Sequence, residues 1–329
     1  MKQRIVGVIA FIAYWCGLDA LFYWLNRKAK RILTFHNVIP DELFDPRGNG
    51  VSNRESDFRR IIKEAGRRFG FSTDLKDAGT VTITFDDGYL NQYEVAGRVL
   101  GEMGIPAIIF PAGDLIGALP EQALVVDQLV YWCEYAPSEV LKREFPVEGA
   151  HKRGEYWVKA VRPAYCQDVE AKGRNLLARL DKVYPMAEIL AQLSPECRRL
   201  RLGGVSQSQL DELRARGWVV GWHTKTHFPL ASLSDDEIRR ELDSPPEFRN
   251  CVLSYPYGEL QSVDARALKI AEELGYPCAV SNLSARNDLT GRYFIPRMAL
   301  PASKYRLHFR LSGMEQFIKC RKLLERVKV

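Results

Sequence analysis

Two adjacent carboxylates, Asp86 and Asp87, stand in the run Thr84-Phe85-Asp86-Asp87-Gly88-Tyr89, after a β-branched stretch and before a glycine that lets the chain turn sharply. Neighbours leaving a strand point different ways. One carboxylate can therefore bind a metal while the other, close to the cation, stays ionised and available as a base. Taken alone, Asp-Asp-Gly is equally at home in a surface turn. A second run, Trp222-His223-Thr224-Lys225-Thr226-His227, sets two imidazoles four residues apart. In a helical turn that spacing puts both on one face, and with one carboxylate as third ligand it suits zinc or another divalent ion with a position open for water. The chain has only five histidines, so the pair is informative, against the competing reading of an incidental pair. A third run, Ser254-Tyr255-Pro256-Tyr257-Gly258, makes a backbone turn that can present the Tyr257 N–H to a developing oxyanion, or that can be a plain packing corner.

Such residues act together only if a scaffold gathers strand ends. From Arg31 onward, short β-branched runs alternate with amphipathic stretches, the signature of βα units around a mostly parallel sheet or barrel. The pattern predicts strands over 32–35, 80–85, 105–110, 218–222, 251–255 and 277–281, and helices over 55–69, 91–103 and 262–274. Ser206 with Gln209, and Ser234 with Glu237, are capping-box pairs that open two more helices. Residues of about 117–203 carry helical periodicity and few strand signals, which predicts a helical insertion or lid. The turn-rich stretch 40–53 reads as a long surface loop. The expected organisation is an apolar and basic segment 1–30, a catalytic domain 31–313 containing the insertion, and a basic helix 314–329.

In this order, each at a strand end, the three runs resemble the polysaccharide deacetylase (NodB-like) family of carbohydrate de-N-acetylases. The resemblance covers about 32–117 and 203–313. It implies an α/β fold, a distorted (β/α) barrel of the NodB-like deacetylase type with a helical insertion, and metal-dependent removal of an N-acetyl group from a glycan. It implies Asp86 as base, Asp87, His223 and His227 as ligands of a divalent metal, zinc by preference, and Tyr257 as source of the oxyanion-hole amide. Many members carry an arginine where Ser254 stands here. Either Arg297, in Ile295-Pro296-Arg297, fills that role from another strand or it is an ordinary salt-bridge residue. For the general acid, Leu33-Thr34-Phe35-His36-Asn37 is similar to the permuted arrangement of some members and favours His36. His308 in Arg306-Leu307-His308-Phe309 is the other candidate. The readings that compete with an N-acetylated glycan as substrate are a catalytically silent glycan-binding protein and an amidohydrolase acting on another C–N bond.

Composition adds bounds. The chain has 329 residues, 46% hydrophobic and 27% charged, ordinary for a globular protein with a large core. Its net charge of +6 is spread along the sequence, and no nucleic-acid-binding module accompanies it, so nucleic acid is not an expected partner. Seven widely spaced cysteines without a C-x-x-C pair point to free thiols in a reducing compartment, hence to the cytoplasm. In residues 1–30 an aromatic, apolar stretch precedes Arg27, Lys28, Lys30 and Arg31. A segment lying on a membrane or packed on the domain, a spanning anchor, and a signal peptide are the three readings, with peripheral membrane association the expected partner surface. Asp19 counts against spanning and the missing small-x-small site against a signal peptide.

Overall fold

The Ile, Val and Thr runs form parallel strands buried on both faces, which is why they read as almost continuous apolar stretches. The computed structural model describes residues 2–47, 51–283 and 291–316. Its strands are β1 (Arg31–Phe35), β2 (Asn37–Ile39), β3 (Ser52–Arg54), β4 (Gly70–Phe71), β5 (Thr80–Asp87), β6 (Ile108–Pro111), β7 (Val219–Val220), β8 (Leu253–Ser254), β9 (Ala279–Ser281) and β10 (Ile295–Pro296). One sheet has the order β1-β5-β6-β7, with β4 also on β5; a second has the order β10-β9-β8; β2 and β3 pair separately. All named pairs are parallel.

The two larger sheets meet at both edges through isolated bridges. Leu33 pairs with Met298 and Trp222 with Leu253. The Thr34 N–H donates to the Met298 carbonyl at 3.0 Å and the Ser254 N–H to the Trp222 carbonyl at 2.9 Å. The ring is thus not one closed sheet but two, stitched by single contacts, which makes it the distorted barrel that the sequence leads one to expect. Between β6 and β7 the chain is helical, from the turn at Pro120–Gln122 to the helix Pro195–Leu202, matching the predicted insertion. Its centre is Val125–Tyr135, whose Trp132 is fully buried.

Several elements depart from the sequence reading in extent. Strands β7 and β8 are two residues each, not five, because the backbone leaves the ladder as soon as it delivers the motifs that follow. The helix predicted over 91–103 opens with a π turn at Gln92–Ala96 before regular helix resumes at Gly97–Glu102, a geometry that recurs at functional sites. The loop predicted over 40–53 ends in strand after all, since Ser52 and Asn53 pair with Asn37 and Val38. Beyond Gln316 the expected C-terminal helix lies outside the described residues, as does Cys320.

Close strand approach at the seam demands glycine at Gly221. A Cβ there would lie 2.4 Å from a Phe110 ring carbon and 2.5 Å from the Val252 carbonyl oxygen. Gly221→Ala should therefore cost about 1–3 kcal/mol or more, read as a lowered midpoint in chemical denaturation with an unchanged m value.

Candidate functional site

Every predicted site residue that leaves a strand does so at its C-terminal end, where barrels and open α/β sheets gather their chemistry. His36 follows β1, Asp86 and Asp87 end β5, His223 follows β7, Tyr257 follows β8 and Arg297 follows β10. The turns that present them are strained. Asp87 (φ 77°), Thr224 (φ 63°), His227 (φ 60°) and Tyr257 (φ 62°) are four of the six non-glycine residues with positive φ among those described. Left-handed backbone at a non-glycine residue costs free energy, and its concentration in one place marks geometry held for a purpose.

Asp87, His223 and His227 converge, with potential ligand atoms all within 4.8 Å of one another and all three side chains buried. Asp87 Oδ1 is 3.4 Å from His223 Nε2 and 3.2 Å from His227 Nε2. That oxygen is buried and has no hydrogen-bond donor. His223 Nδ1 lies 2.7 Å from the Ser254 carbonyl oxygen, which only accepts, so Nδ1 carries a proton and Nε2 is the nitrogen that faces Asp87. One carboxylate oxygen and two imidazole Nε2 atoms gathered in a buried cluster are the donor set of a divalent cation, and these residues fit one. Burial raises the Asp87 carboxyl, but His223 and His227 outweigh it and hold Asp87 well below the ordinary carboxylate range.

The histidine run is not helical. It is a loop pinned by Glu241, a buried residue near the end of the helix Asp235–Leu242. Its Oε2 accepts from the N–H groups of Lys225 (3.1 Å) and Thr226 (2.8 Å), and its Oε1 accepts from Thr226 Oγ1 (2.7 Å). These bonds, with the left-handed turns at Thr224 and His227, bring the two imidazoles together where a helical turn was expected. Sequence reasoning missed Glu241, although a signal existed: a carboxylate in the last turn opposes the helix dipole, and it shares the inward positions of Ile238 and Leu242.

Asp86 is fully buried, and its counter-charge is Arg297. The guanidinium donates from Nη1 to Oδ1 at 2.7 Å and from Nη2 to Oδ2 at 2.6 Å. It is itself held by Thr84 Oγ1 (3.0 Å), the Ser281 carbonyl (3.2 Å) and Asn282 Oδ1 (2.8 Å). Ser254 Oγ donates to Asp86 Oδ1 at 3.0 Å and accepts from Arg297 at 2.9 Å. Burial pushes the Asp86 carboxyl up, but Arg297 and then His223 outweigh it and bring it to about 2. Ser254 thus supports an arginine that arrives from β10, one of the two readings of Arg297 that the sequence left open.

His36 Nε2 is 3.8 Å from Asp86 Oδ2, and its side chain is 18% exposed. Burial lowers its pKa against the pull of Asp87 and Asp86. It opens onto a groove of about 430 Å³ lined also by Phe44, Arg54, Asp57 and residues Ala299 to Ala302. Gln92, another residue not singled out from sequence, donates to the His36 carbonyl at 2.9 Å and to the Asp86 carbonyl, tying the ends of β1 and β5. The Tyr257 ring packs 4.9 Å from His227, and the Tyr257 N–H meets no backbone acceptor among the described residues. Tyr89 donates to both oxygens of Asp127 (3.0 and 2.9 Å), a buried carboxylate on Val125–Tyr135, so the insertion is anchored on the Asp-Asp-Gly-Tyr turn. His308 is not part of this constellation. Its partners are Tyr23 (3.1 Å) and Glu64 (3.9 Å), and it sits between the N-terminal helices and the domain.

No family model matches the chain, and no curated protein matches it. Solved structures do match. The deacetylase PplD of Streptococcus pyogenes, in complex with acetate, is 14% identical, with 88% of this chain and 97% of that one covered at a TM-score of 0.51. A polysaccharide deacetylase from Bacillus cereus is 15% identical, covering 87% of this chain and 69% of that one, also at 0.51. At such identities the likeness establishes the fold.

Breaking the Asp86–Arg297 pair from one side strands a buried charge. Arg297→Ala should cost about 3–5 kcal/mol, and Arg297→Ala with Asp86→Asn should recover much of it in a denaturation cycle. Because the folded value of Asp86, about 2, is below its ordinary 3.8, the pair's contribution is present above the ordinary value and lost as pH falls through the folded one. Arg297→Ala should flatten that acid limb of the stability curve.

Proposed function

We propose that this chain is a metal-dependent carbohydrate N-deacetylase of the polysaccharide deacetylase type, releasing acetate from an N-acetylated sugar in a polymer, oligomer or lipid-linked glycan. The observation that carries the reading is the side-by-side placement of a cation donor set, Asp87, His223 and His227, and an ionised Asp86 on a fold shared with solved deacetylases. Acetate bound to PplD fits a product of this class.

Zinc is the proposed ion, since two imidazoles and one carboxylate with room for further ligands suit it. When bound, a divalent cation supplies Lewis acidity toward a water molecule and an amide carbonyl. Asp86 takes the proton from the water whose oxygen attacks the carbonyl carbon. Held near 2, Asp86 stays ionised and so keeps a carboxylate oxygen able to accept that proton. Arg297 and Ser254 fix its two oxygens and keep it ionised. The Tyr257 N–H, which meets no backbone acceptor among the described residues, is offered to the carbonyl oxygen as it gains charge, an interaction worth about 3 kcal/mol in comparable sites. His36, at the groove and close to Asp86, gives a proton to the departing amine as the C–N bond breaks. Its burial-lowered pKa makes the charged form a ready donor.

Asp86→Asn should lose about 10²- to 10⁴-fold in acetate release from N-acetylglucosamine oligomers while keeping one equivalent of zinc. Normal turnover in that variant would remove Asp86 from catalysis. His36→Ala should lose a similar factor on the sugar amide but far less on an aryl acetate, whose leaving group needs no proton. Equal losses on both substrates would mean that His36 is not the acid. His223→Ala should lose the zinc itself, and in the wild type zinc affinity should fall with pH. Burial alone would lower the His223 pKa, but Asp86 and Asp87 raise it, so protons compete for this ligand.

A further inference from the structure

The helices Lys2–Trp15 and Leu18–Leu25 carry ten of the fourteen exposed large hydrophobic residues among those described. Ile5, Val8, Ile12 and Trp15 follow one another at helical spacing along the first, and Leu21 and Trp24 continue the surface on the second. Trp15 is 66% exposed and Trp24 60%. This is not a packing face, because the hairpin has a separate one. Ala10 and Ala13 pack on Phe309 and Met314, and Tyr23 bonds His308 on the helix Lys304–Leu311. So many large apolar side chains, left outward by two helices already seated on the domain, are built to meet something.

We infer that the hairpin seats the protein on an anionic lipid bilayer, lying in the interfacial plane. Charge favours this occupant. Arg27 stands 4.8 Å over the Trp24 ring and Lys304 4.8 Å over the Tyr14 ring, so cations border the apolar surface at the level of its aromatic residues, where lipid phosphates would lie. Arg31, counted with these from sequence, instead turns inward to the Leu311, Ala29 and Asn26 carbonyls. Geometry favours lying over spanning. Among the described residues no single helix is long and apolar enough to cross, the two are bent by 85° at their break, and the first, at about 21 Å, is shorter than the roughly 30 Å hydrocarbon core. Asp19, the objection to membrane depth raised by the sequence, is 6% exposed and faces the domain, so an interfacial hairpin keeps it out of lipid.

The seat also orients the molecule. Residues Ala299 to Ala302 line the groove beside His36, and two residues later Lys304 begins the helix that carries the hairpin. The groove rim and the lipid-facing surface therefore share one short segment, which places the groove beside the bilayer.

The test is flotation of the full chain with vesicles of phosphatidylcholine alone or with about 30 mol% phosphatidylglycerol. Wild type should float with the anionic vesicles, at least tenfold less with the neutral ones, and its tryptophan emission should be quenched by lipids brominated in the acyl chain. Ile12→Glu with Trp15→Glu, both at exposed positions, should bind at least tenfold more weakly with an unchanged melting curve. Vesicle binding that this variant does not weaken, or no binding, would overturn the inference. A dimer in light scattering that the same variant dissolves, without vesicle binding, would assign the surface to a second copy of the chain instead. Flotation reads no catalysis, so Asp86→Asn should float as wild type does, and the deacetylase reading stands or fails separately.

Discussion

Two carboxylates adjacent in sequence and buried side by side cannot both stay ionised unless each has its own positive partner. The rest of the site answers that constraint. Asp86 receives a guanidinium that grips both its oxygens and is saturated by other acceptors, so the charge is fixed in direction as well as compensated. Asp87 receives imidazoles whose proton arrangement is dictated on one side by a backbone carbonyl, leaving an oxygen without a donor. One carboxylate is closed by the protein itself, and its neighbour is left open for an ion. That asymmetry is what turns a pair of like charges into a division of labour.

The fold meets the constraint by convergence of strand ends. The partners of Asp86 come from β8 and from the residue after β10, with the end of β9 holding the arginine, and those of Asp87 come from the turn after β7. Short strands serve this better than long ones. β7 and β8 give up their ladders after two residues, freeing the next ones for the left-handed turns at Thr224, His227 and Tyr257, whereas Asp87 takes its positive φ at the end of the long strand β5. Around them, Gln92 and Glu241 spend their polar groups on backbone, holding the turns in shapes that the turn residues would not choose alone.

Much of this was legible in the sequence because it rests on local patterns. The alternation of β-branched and amphipathic runs gave the parallel architecture, the capping boxes at Ser206 and Ser234 gave two helix starts, and the three motifs gave the centre of the site. What was not legible is what depends on distant contact. Histidines four residues apart look helical until a carboxylate on another element takes the intervening amides, and nothing near Arg297 says that its guanidinium reaches a strand more than two hundred positions earlier. His36 and His308 were ambiguous as isolated letters. They separate once the fold puts one beside Asp86 and the other under the N-terminal hairpin.

The ring of strands is divided by two single-bridge seams, and the division runs through the site. Asp86, the three cation donors and His36 belong to the sheet of β1, β5, β6 and β7, whereas Ser254, Tyr257 and Arg297 belong to that of β8, β9 and β10. The cation donor set and the groups that grip Asp86 thus stand on different sheets, joined across the seam by bonds such as the one between His223 and Ser254. A shift of one sheet against the other would therefore change the distance between Asp86 and its guanidinium while leaving the Asp87, His223 and His227 cluster intact.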